Sequence, residues 1–231
     1  MPVVTNPGGV MIVGAYPTAK FATVNGVRDV PVADIDAPFS NQTYFDGASV
    51  RNVRAGKELE TEYLKPLGLI ENQLWLTNLV KVFLFKSGHT AKYQKLGNEA
   101  EESRRRFREF AENEQAQAIF QEELTIANPS AVILLGEEVT KIICRVGSAR
   151  AKQMFDGIPR DIEIAGRVQK VFCLPHPGIV MRPGNNWGAH LRQVLPGMRK
   201  HLTSMLRQRN KQPRIAINSR DSAGIRKNNC Q

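Results

Sequence analysis

The sequence lacks the features that would assign it to a membrane, a metal centre or a disulfide-bonded secreted framework. Its 231 residues contain three cysteines, Cys144, Cys173 and Cys230, and these match no metal-binding spacing. No apolar run approaches the roughly 18 residues of a membrane-spanning helix. The first residues also lack a basic segment ahead of an apolar stretch, as a secretion signal would have. We therefore predict a cytoplasmic protein with no membrane partner, no bound metal and no other cofactor.

Several motifs of common enzyme classes are absent as well. The chain has no Walker phosphate loop, no GxGxxG, no GxSxG and no HExxH, so nucleotide hydrolysis, dinucleotide redox chemistry and zincin chemistry have no support. What the sequence has in excess is positive charge, with 32 Lys and Arg against 22 Asp and Glu and a net charge of +10. Such a surplus favours a nucleic-acid partner, because Lys and Arg that neutralise phosphates release counterions.

The length fits one α/β domain, which we place at residues 1–206, followed by a basic tail at residues 207–231. The tail carries seven Lys or Arg and one Asp. It is interpreted either as an arm that binds nucleic acid or as a solvated end. We expect the protein to be a monomer.

Apolar runs alternate with helical patterns along the chain. Buried strands are predicted within residues 9–17, 73–85, 128–139 and 168–174, the last as part of a hairpin-like segment at 157–174. Helices are predicted at about 56–70, 98–127, 139–146 and 187–206. Residues 18–55 show no helical period and are predicted to form a long functional loop. This alternation predicts a three-layer α/β sandwich with a central, mainly parallel sheet of about four strands.

The stretch "LPHPGIVMRP", residues 174–183, places a histidine between two prolines directly after an apolar run. Pro175 and Pro177 fix φ near about −65° and remove two backbone donors, so His176 stands on a stiff bend. A bend after a buried strand lies at the edge where open α/β sheets bind ligands. The alternative is a rigid surface turn with an incidental histidine, and this stretch alone leaves both interpretations open.

Five short motifs follow one another in a characteristic order: "VGAYPT" (13–18), "APFSN" (37–41), "LTNLVK" (76–81), "NPSAVILLG" (128–136) and "LPHPGIVMRP" (174–183). This order resembles the uracil-DNA glycosylase superfamily, and the resemblance covers about residues 10 to 206. It implies an enzyme that hydrolyses the N-glycosidic bond of a flipped-out uracil or modified pyrimidine in DNA and leaves an abasic site. DNA is the implied partner.

The resemblance also implies a role for each matching residue. The base pocket would be formed by Gly14, Ala15, Tyr16, Pro17, Phe39, Asn41 and Asn78. Phe39 would stack on the base, and Asn78 would bond to its Watson–Crick edge. His176 would donate a hydrogen bond to the base carbonyl O2, where negative charge develops. Lys81 and Arg182 would bind flanking phosphates. Each of these residues also has a purely structural interpretation, as a core aromatic, a turn Asn or a solvated charge.

The first loop departs from the family pattern. Several branches carry a catalytic acid at the places occupied here by Ala15 and Tyr16. Asp46 is our first candidate for a replacement acid and Asp36 the second, while Asn41 could orient the attacking water. The iron–sulfur cluster of the thermostable branch needs four cysteines, and the three scattered cysteines of this chain exclude it.

Other functions stay open at this point. Thr18 stands where the most uracil-selective branch has a tyrosine that rejects C5 substituents. The smaller side chain favours an anti-phage defence glycosylase that removes hydroxymethylated or glucosylated pyrimidines from invading DNA. A second alternative is a catalytically inactive DNA-binding protein of the same fold. A third is an α/β enzyme acting on an unrelated small substrate, which the basic surplus opposes.

Overall fold

The computed structural model describes residues 4–17, 20–33, 38–39, 43–45, 48–97, 99, 101–180 and 182–210. The strands are β1 Val10–Gly14, β2 Lys20–Val24, β3 Val27–Ala33, β4 Thr43–Phe45, β5 Val50–Asn52, β6 Leu74–Asn78, β7 Ala131–Leu135, β8 Arg160–Ile164 and β9 Arg167–Leu174. The helices are α1 Arg54–Leu59, α2 Lys65–Leu67, α3 Ser87–Lys95, α4 Phe107–Glu112, α5 Glu114–Ala127, α6 Glu137–Ile143, α7 Ser148–Gln153, α8 Pro177–Val180 and α9 Trp187–Asn210. A π-helical turn, Glu60–Leu64, joins α1 to α2, and 3₁₀ turns span Glu71–Gln73 and Arg104–Arg106.

Five strands form the central sheet in the order β6-β1-β7-β9-β8. Strands β6, β1, β7 and β9 run parallel to one another, and β8 pairs antiparallel with β9 at one edge. Every residue of β1, β6 and β7 is buried, as expected for parallel strands that helices cover on both faces. The structure confirms the predicted α/β sandwich with a mainly parallel sheet, which has five strands rather than four.

Two hydrophobic cores lie on opposite faces of the sheet, because alternate residues of a strand point to opposite sides. Met11 and Val13 contribute to a core with α4, α5 and α6, which we call the α5-side core. Val10 and Ile12 contribute to a core with α1, α2 and α9, which we call the α9-side core. Together with the sheet these helices make three layers. In the part of the chain described by the structure, no helix is both long and apolar enough to cross a bilayer.

Residues 18–55 were predicted to be one long loop, and that prediction is wrong. Strands β2 and β3 pair antiparallel, as do β4 and β5, so the segment contains two hairpins outside the main sheet. Asn25 and Gly26 both have positive φ, 50° and 80°. Two consecutive residues with positive φ are what a tight hairpin turn requires, and Asn-Gly is the commonest pair there. The first hairpin is therefore encoded locally.

Two other predicted elements are shorter in the structure than in the prediction. The helix predicted at 98–127 is divided at Asn113, whose extended backbone ends α4 and whose side chain accepts a hydrogen bond from the Gln115 N–H to cap α5. The strand predicted at 73–85 ends at Asn78, and the N–H groups of the next two residues, Leu79 and Val80, donate to the carbonyls of Gly14 and Ala15. The final helix begins at Trp187 as predicted and continues through Asn210, while residues 211–231 lie outside the described chain.

Candidate active site

The ends of parallel strands meet at one edge of the sheet and bring the predicted site residues together. Gly14 ends β1 and is directly paired with Asn78 at the end of β6. His176 follows β9 by two residues, and its Cβ lies 3.2 Å from where a Cβ on Gly136, just after β7, would stand. The ring centroids of His176 and Phe39 are 5.6 Å apart. Gly14, Phe39, Asn78 and His176 thus form one cluster, which we call the strand-end cluster.

Gly14 lies at the centre of this cluster, because the absence of a side chain there leaves room for Asn78 and Phe39. A Cβ at Gly14 would overlap the Asn78 Oδ1 atom and would lie 2.7 Å from Cζ of Phe39. Phe39 is half-buried and has a φ of 54°, a conformation that a bulky residue rarely adopts. The structure therefore places an aromatic ring against the strand end only because residue 14 is glycine.

Two polar groups of the cluster have no partner within the described protein. Asn78 is 5% exposed, yet its carboxamide makes no hydrogen bond to any described residue. The same holds for the Nε2 atom of His176. A buried polar side chain such as that of Asn78 is normally hydrogen-bonded, and His176 beside it is half-buried. An amide with one donor side and one acceptor side, together with an imidazole nitrogen, can therefore receive a polar heterocycle beside the Phe39 ring.

The hydrogen bonds and surroundings of His176 determine its protonation state. The backbone N–H of Gly178 donates to His176 Nδ1 at 3.1 Å, which assigns the proton of the neutral ring to Nε2. Burial lowers the pKa of His176 to about 4, and the positive charges of Arg182 and Lys86 act in the same direction. The imidazole is therefore neutral at physiological pH and presents an N–H donor at Nε2.

The loop that carries His176 is fastened to the α9-side core. The buried hydroxyl of Tyr63 donates to the Pro175 carbonyl at 2.7 Å, and Tyr63 lies in the π-helical turn between α1 and α2. The carbonyl of His176 accepts from the Ile179 N–H at 3.0 Å, so the residue leads directly into α8. A buried tether on one side and a helical turn on the other hold the ring in place.

Asn78 is supported from the opposite face of the sheet. The ammonium of Lys81 donates to the Asn78 carbonyl at 2.6 Å, and also to Thr77 Oγ1 and Glu123 Oε2. Glu123 is a buried residue of α5 that accepts a second hydrogen bond from Thr77 Oγ1, at 2.9 Å. Because an ammonium has three donors, Lys81 is fully engaged inside the protein and has none left for the phosphate contact suggested by its motif.

Glu123 was not recognised in the sequence, although a signal exists. It lies on the face of α5 that contains the buried Phe120, Leu124 and Ala127. A charged residue within an apolar stripe is almost never buried unless it is paired, and here its partner is 42 positions away in the sequence. The periodicity locates the anomaly, but it cannot identify Lys81 as the partner.

The first loop and Phe39 pack on opposite faces of the sheet. Ala15 and Tyr16 pack against the α5-side core, whereas Phe39 packs against the α9-side core. The Tyr16 ring lies 5.6 Å from that of Phe107, and its phenol lines a cavity of about 1190 Å³. Burial raises the pKa of Tyr16, so the hydroxyl stays protonated. Pro17 is buried where the loop leaves the sheet.

Of the remaining predicted residues, the structure describes only Arg182. Arg182 is exposed, and its Nε donates to the Gly178 carbonyl at 2.9 Å. The residues named for water activation, for the replacement acid and for C5 selectivity lie outside the described chain: Asn41, Asp46, Asp36 and Thr18. Among the residues that are described, no carboxylate is hydrogen-bonded to His176 or to the side chain of Asn78.

The sequence as a whole decides the family. Residues 5–199 match the model of the uracil DNA glycosylase superfamily. The chain belongs to the uracil DNA glycosylase superfamily. The match extends from before β1 into α9 and so includes the whole strand-end cluster, which confirms the family predicted from the five motifs. No curated protein matches the chain. Its first loop, Gly14–Pro17, contains no acidic residue.

Proposed function

We propose that this protein is a DNA glycosylase that hydrolyses the N-glycosidic bond of a flipped-out uracil or modified pyrimidine and leaves an abasic site. The observation that carries the proposal is a pair of polar groups beside the ring of Phe39, the Asn78 carboxamide and His176 Nε2, for which no described residue is a hydrogen-bond partner. A ligand that satisfies both groups must be flat and must carry donors and acceptors on its edge. A pyrimidine base has this shape.

Binding requires the base to leave the double helix, because its reactive bond cannot be reached inside the stack. Phe39 replaces the lost stacking, which is worth about 1–3 kcal/mol per base in aromatic platforms. The Asn78 carboxamide offers its oxygen and its NH₂ side by side, so it can accept from a ring N–H and donate to a neighbouring carbonyl. Gly14 allows this approach because no side chain projects from the end of β1.

Bond cleavage places the electron pair of the C1′–N1 bond on the departing base. The resulting negative charge spreads to the base carbonyl O2, where the Nε2–H of His176 can donate a hydrogen bond. Water adds to C1′ of the cationic sugar, loses a proton to solvent and completes the abasic product. The neutral histidine stabilises charge and transfers no proton, which fits a ring whose pKa is lowered to about 4.

The proposal is tested with oligonucleotides that each contain one uracil, hypoxanthine, hydroxymethylpyrimidine or glucosylated pyrimidine. Alkaline strand cleavage after incubation reports which base is removed. We expect cleavage at a pyrimidine, and removal of glucosylated bases in preference to uracil would favour the defence function. Absence of cleavage at every base, with DNA binding intact, would favour the inactive DNA-binding alternative.

The variants Asp36→Asn and Asp46→Asn test which aspartate replaces the catalytic acid that the first loop lacks. We expect one of these variants to lose most of its single-turnover rate while its affinity for abasic DNA is retained, since a carboxylate beside the cationic sugar acts mainly in the transition state. The other variant serves as the control. Full activity in both would show that neither aspartate is the replacement acid.

Glu123→Gln tests the support of Asn78. The neutral amide weakens the hold on Lys81, so we expect the rate of base removal to fall about tenfold, as for the loss of one charge-assisted hydrogen bond. Affinity for abasic DNA, which contains no base for Asn78 to read, should change little. Glu122→Gln, on the exposed neighbour in the same helix, is the matched control. Equal rates for both variants would contradict a positioning role for Glu123.

A further inference from the structure

The exposed side of α9 carries positive charge and no negative charge. None of the 24 residues of this helix is acidic. Its exposed Lys and Arg side chains recur at spacings of seven or eight residues, which correspond to two turns of a helix, so they lie along one side of it. We call these four side chains the α9 stripe: Arg192, Arg199, Lys200 and Arg207.

No cation of the α9 stripe is ion-paired with any residue that the structure describes. Several exposed cations on other elements do have carboxylate partners, as in the pairs Arg54–Glu58, Arg108–Glu112 and Lys170–Asp161. The charge of the stripe is therefore not neutralised within the described protein and is available to an anionic partner.

Helix α9 runs from the edge of the sheet that holds the strand-end cluster to the opposite edge. At its start, Gly188 lies against Val180 of α8, the short helix that leads away from the cluster. At its end, the Arg209 guanidinium lies beside Gly8, just before β1 begins. The 24 residues span about 36 Å. The stripe therefore extends well away from the base pocket, and Arg207 lies at its far end.

The α9 stripe faces away from the protein interior. The opposite side of the helix is buried in the α9-side core through Leu191, Leu195, Met198 and Leu202. A groove of about 560 Å³ lies on the stripe side, and every residue that lines it is polar or charged: Arg199, Lys200, Thr203, Ser204, Arg207 and Gln208. An anion can therefore approach the stripe without meeting an apolar surface.

Packing positions one cation of the stripe before any partner binds. Gly68 caps α2 with a φ of 69°, and the Arg199 Nη2 atom lies 3.0 Å from where a Cβ on Gly68 would stand. The missing side chain lets the guanidinium lie close to the end of α2. A side chain that is already in place loses less conformational freedom when a partner binds.

The length of the stripe favours a polymeric anion over a small one. Arg192 and Arg207 are separated by about 22 Å along the helix, so one phosphate group cannot reach both. Duplex DNA carries a negative charge every 1.7 Å or so along its axis and can contact all four cations. A helix that binds a membrane surface presents Trp, Phe or Leu beside its basic residues, whereas the large apolar residues of α9 pack toward the core.

We propose that the α9 stripe is a second nucleic-acid-binding surface, which holds the phosphate backbone of a DNA segment other than the one whose base enters the strand-end cluster. The inference rests on the proposed function, which makes DNA the polyanion that this protein meets. Phosphate contacts carry no sequence information, and they let a protein slide and hop along DNA. The stripe therefore helps the enzyme to find a base in long DNA and does not alter the chemical step.

The experiment measures binding of the full-length protein to a long duplex without a modified base, over a range of salt concentrations. The stripe variant combines Arg199→Gln, Lys200→Gln and Arg207→Gln. We expect the slope of log K against log salt to fall by about 2.7 in this variant, because each lost phosphate contact contributes about 0.9.

The control variant combines Arg54→Gln, Arg108→Gln and Lys170→Gln. It loses the same three positive charges from exposed side chains that are ion-paired, and surface pairs of this kind contribute little to stability. It should keep the slope of the unmodified protein. Equal slopes for the two variants would overturn the inference. Stripe-dependent binding to phosphatidylserine–phosphatidylcholine vesicles, with no stripe-dependent binding to DNA, would overturn it in favour of a membrane partner.

Base removal separates this surface from the catalytic site. On a duplex too short to reach both surfaces, the stripe variant should match the single-turnover rate of the unmodified protein at saturation. On long DNA at low protein concentration its rate should fall about tenfold, because fewer encounters are retained. An equal loss on the short duplex would contradict a separate surface. Stripe-dependent binding in a protein that removes no base would support the surface and refute the proposed catalysis, whereas base removal with identical slopes for both variants would do the reverse.

Discussion

His176→Ala is expected to lower the single-turnover rate of base removal by about a hundredfold, the usual effect of removing one donor that stabilises a developing anion. The Nε2–H of His176 has no other partner among the described residues, so this donor can form a hydrogen bond with the base. DNA affinity and folding should be nearly unchanged, because the loop remains fastened by the Tyr63 hydroxyl and by α8. His176→Gln, which keeps an N–H donor, should retain more of the rate.

The pH profile gives this prediction a second readout. A histidine with a pKa near 6.5 would become charged between pH 8 and 5, whereas burial holds His176 neutral until about pH 4. The ratio of the rate of the unmodified protein to that of His176→Ala should therefore be constant from pH 8 to 5. It should change only near pH 4, where a proton on Nδ1 displaces the Gly178 N–H. A change in this ratio near pH 6.5, or full activity of His176→Ala, would contradict the assigned role.

Gly14→Ala is expected to reduce base removal by about a hundredfold or more, because a displacement near 1 Å at the reacting groups is enough for such a loss. The new methyl group would overlap the Asn78 carboxamide oxygen and the Phe39 ring, so at least one of them must move. Affinity for uracil-containing DNA should fall toward the affinity for normal DNA, since the base can no longer enter beside Phe39. Thermal unfolding distinguishes this from a folding defect.

Gly197→Ala is the matched control for this substitution. Gly197 lies in α9, and a Cβ there would meet no atom within 4 Å. The control should keep full activity and gain slight stability, because alanine is the better helix former. If Gly14→Ala removes bases at the rate of the unmodified protein, then Asn78 and Phe39 do not form the base pocket.

The parts of the site that the sequence predicted are those that follow directly from buried strands. Parallel strands covered on both faces appear as short apolar runs, so the ends of β1, β6 and β9 could be located to within a few residues. Chain order then placed Gly14, Asn78 and His176 at one edge, and the structure shows them there. Their roles in base recognition remain predictions.

The parts that the sequence did not predict depend on contacts between distant segments or on local signals that were overlooked. The Asn25-Gly26 turn was a local signal and could have identified the first hairpin. The ion pair between Lys81 and Glu123 could not have been predicted, because the two residues lie near opposite ends of the long connection between β6 and β7. Lys81 thus matched a motif associated with DNA phosphates, while tertiary packing directed its ammonium inward.

The two hairpins also bear on how substrate range can diverge among related proteins. They form separate two-stranded sheets between the end of β1 and the start of α1, and Phe39 lies in the segment between them. Insertions or deletions in these hairpins leave the pairing of β1 with β6 intact, since loop length carries only a small entropic cost. Evolution, or a designer, can therefore change the length of these hairpins while the strand ends that hold Asn78 and His176 stay in register.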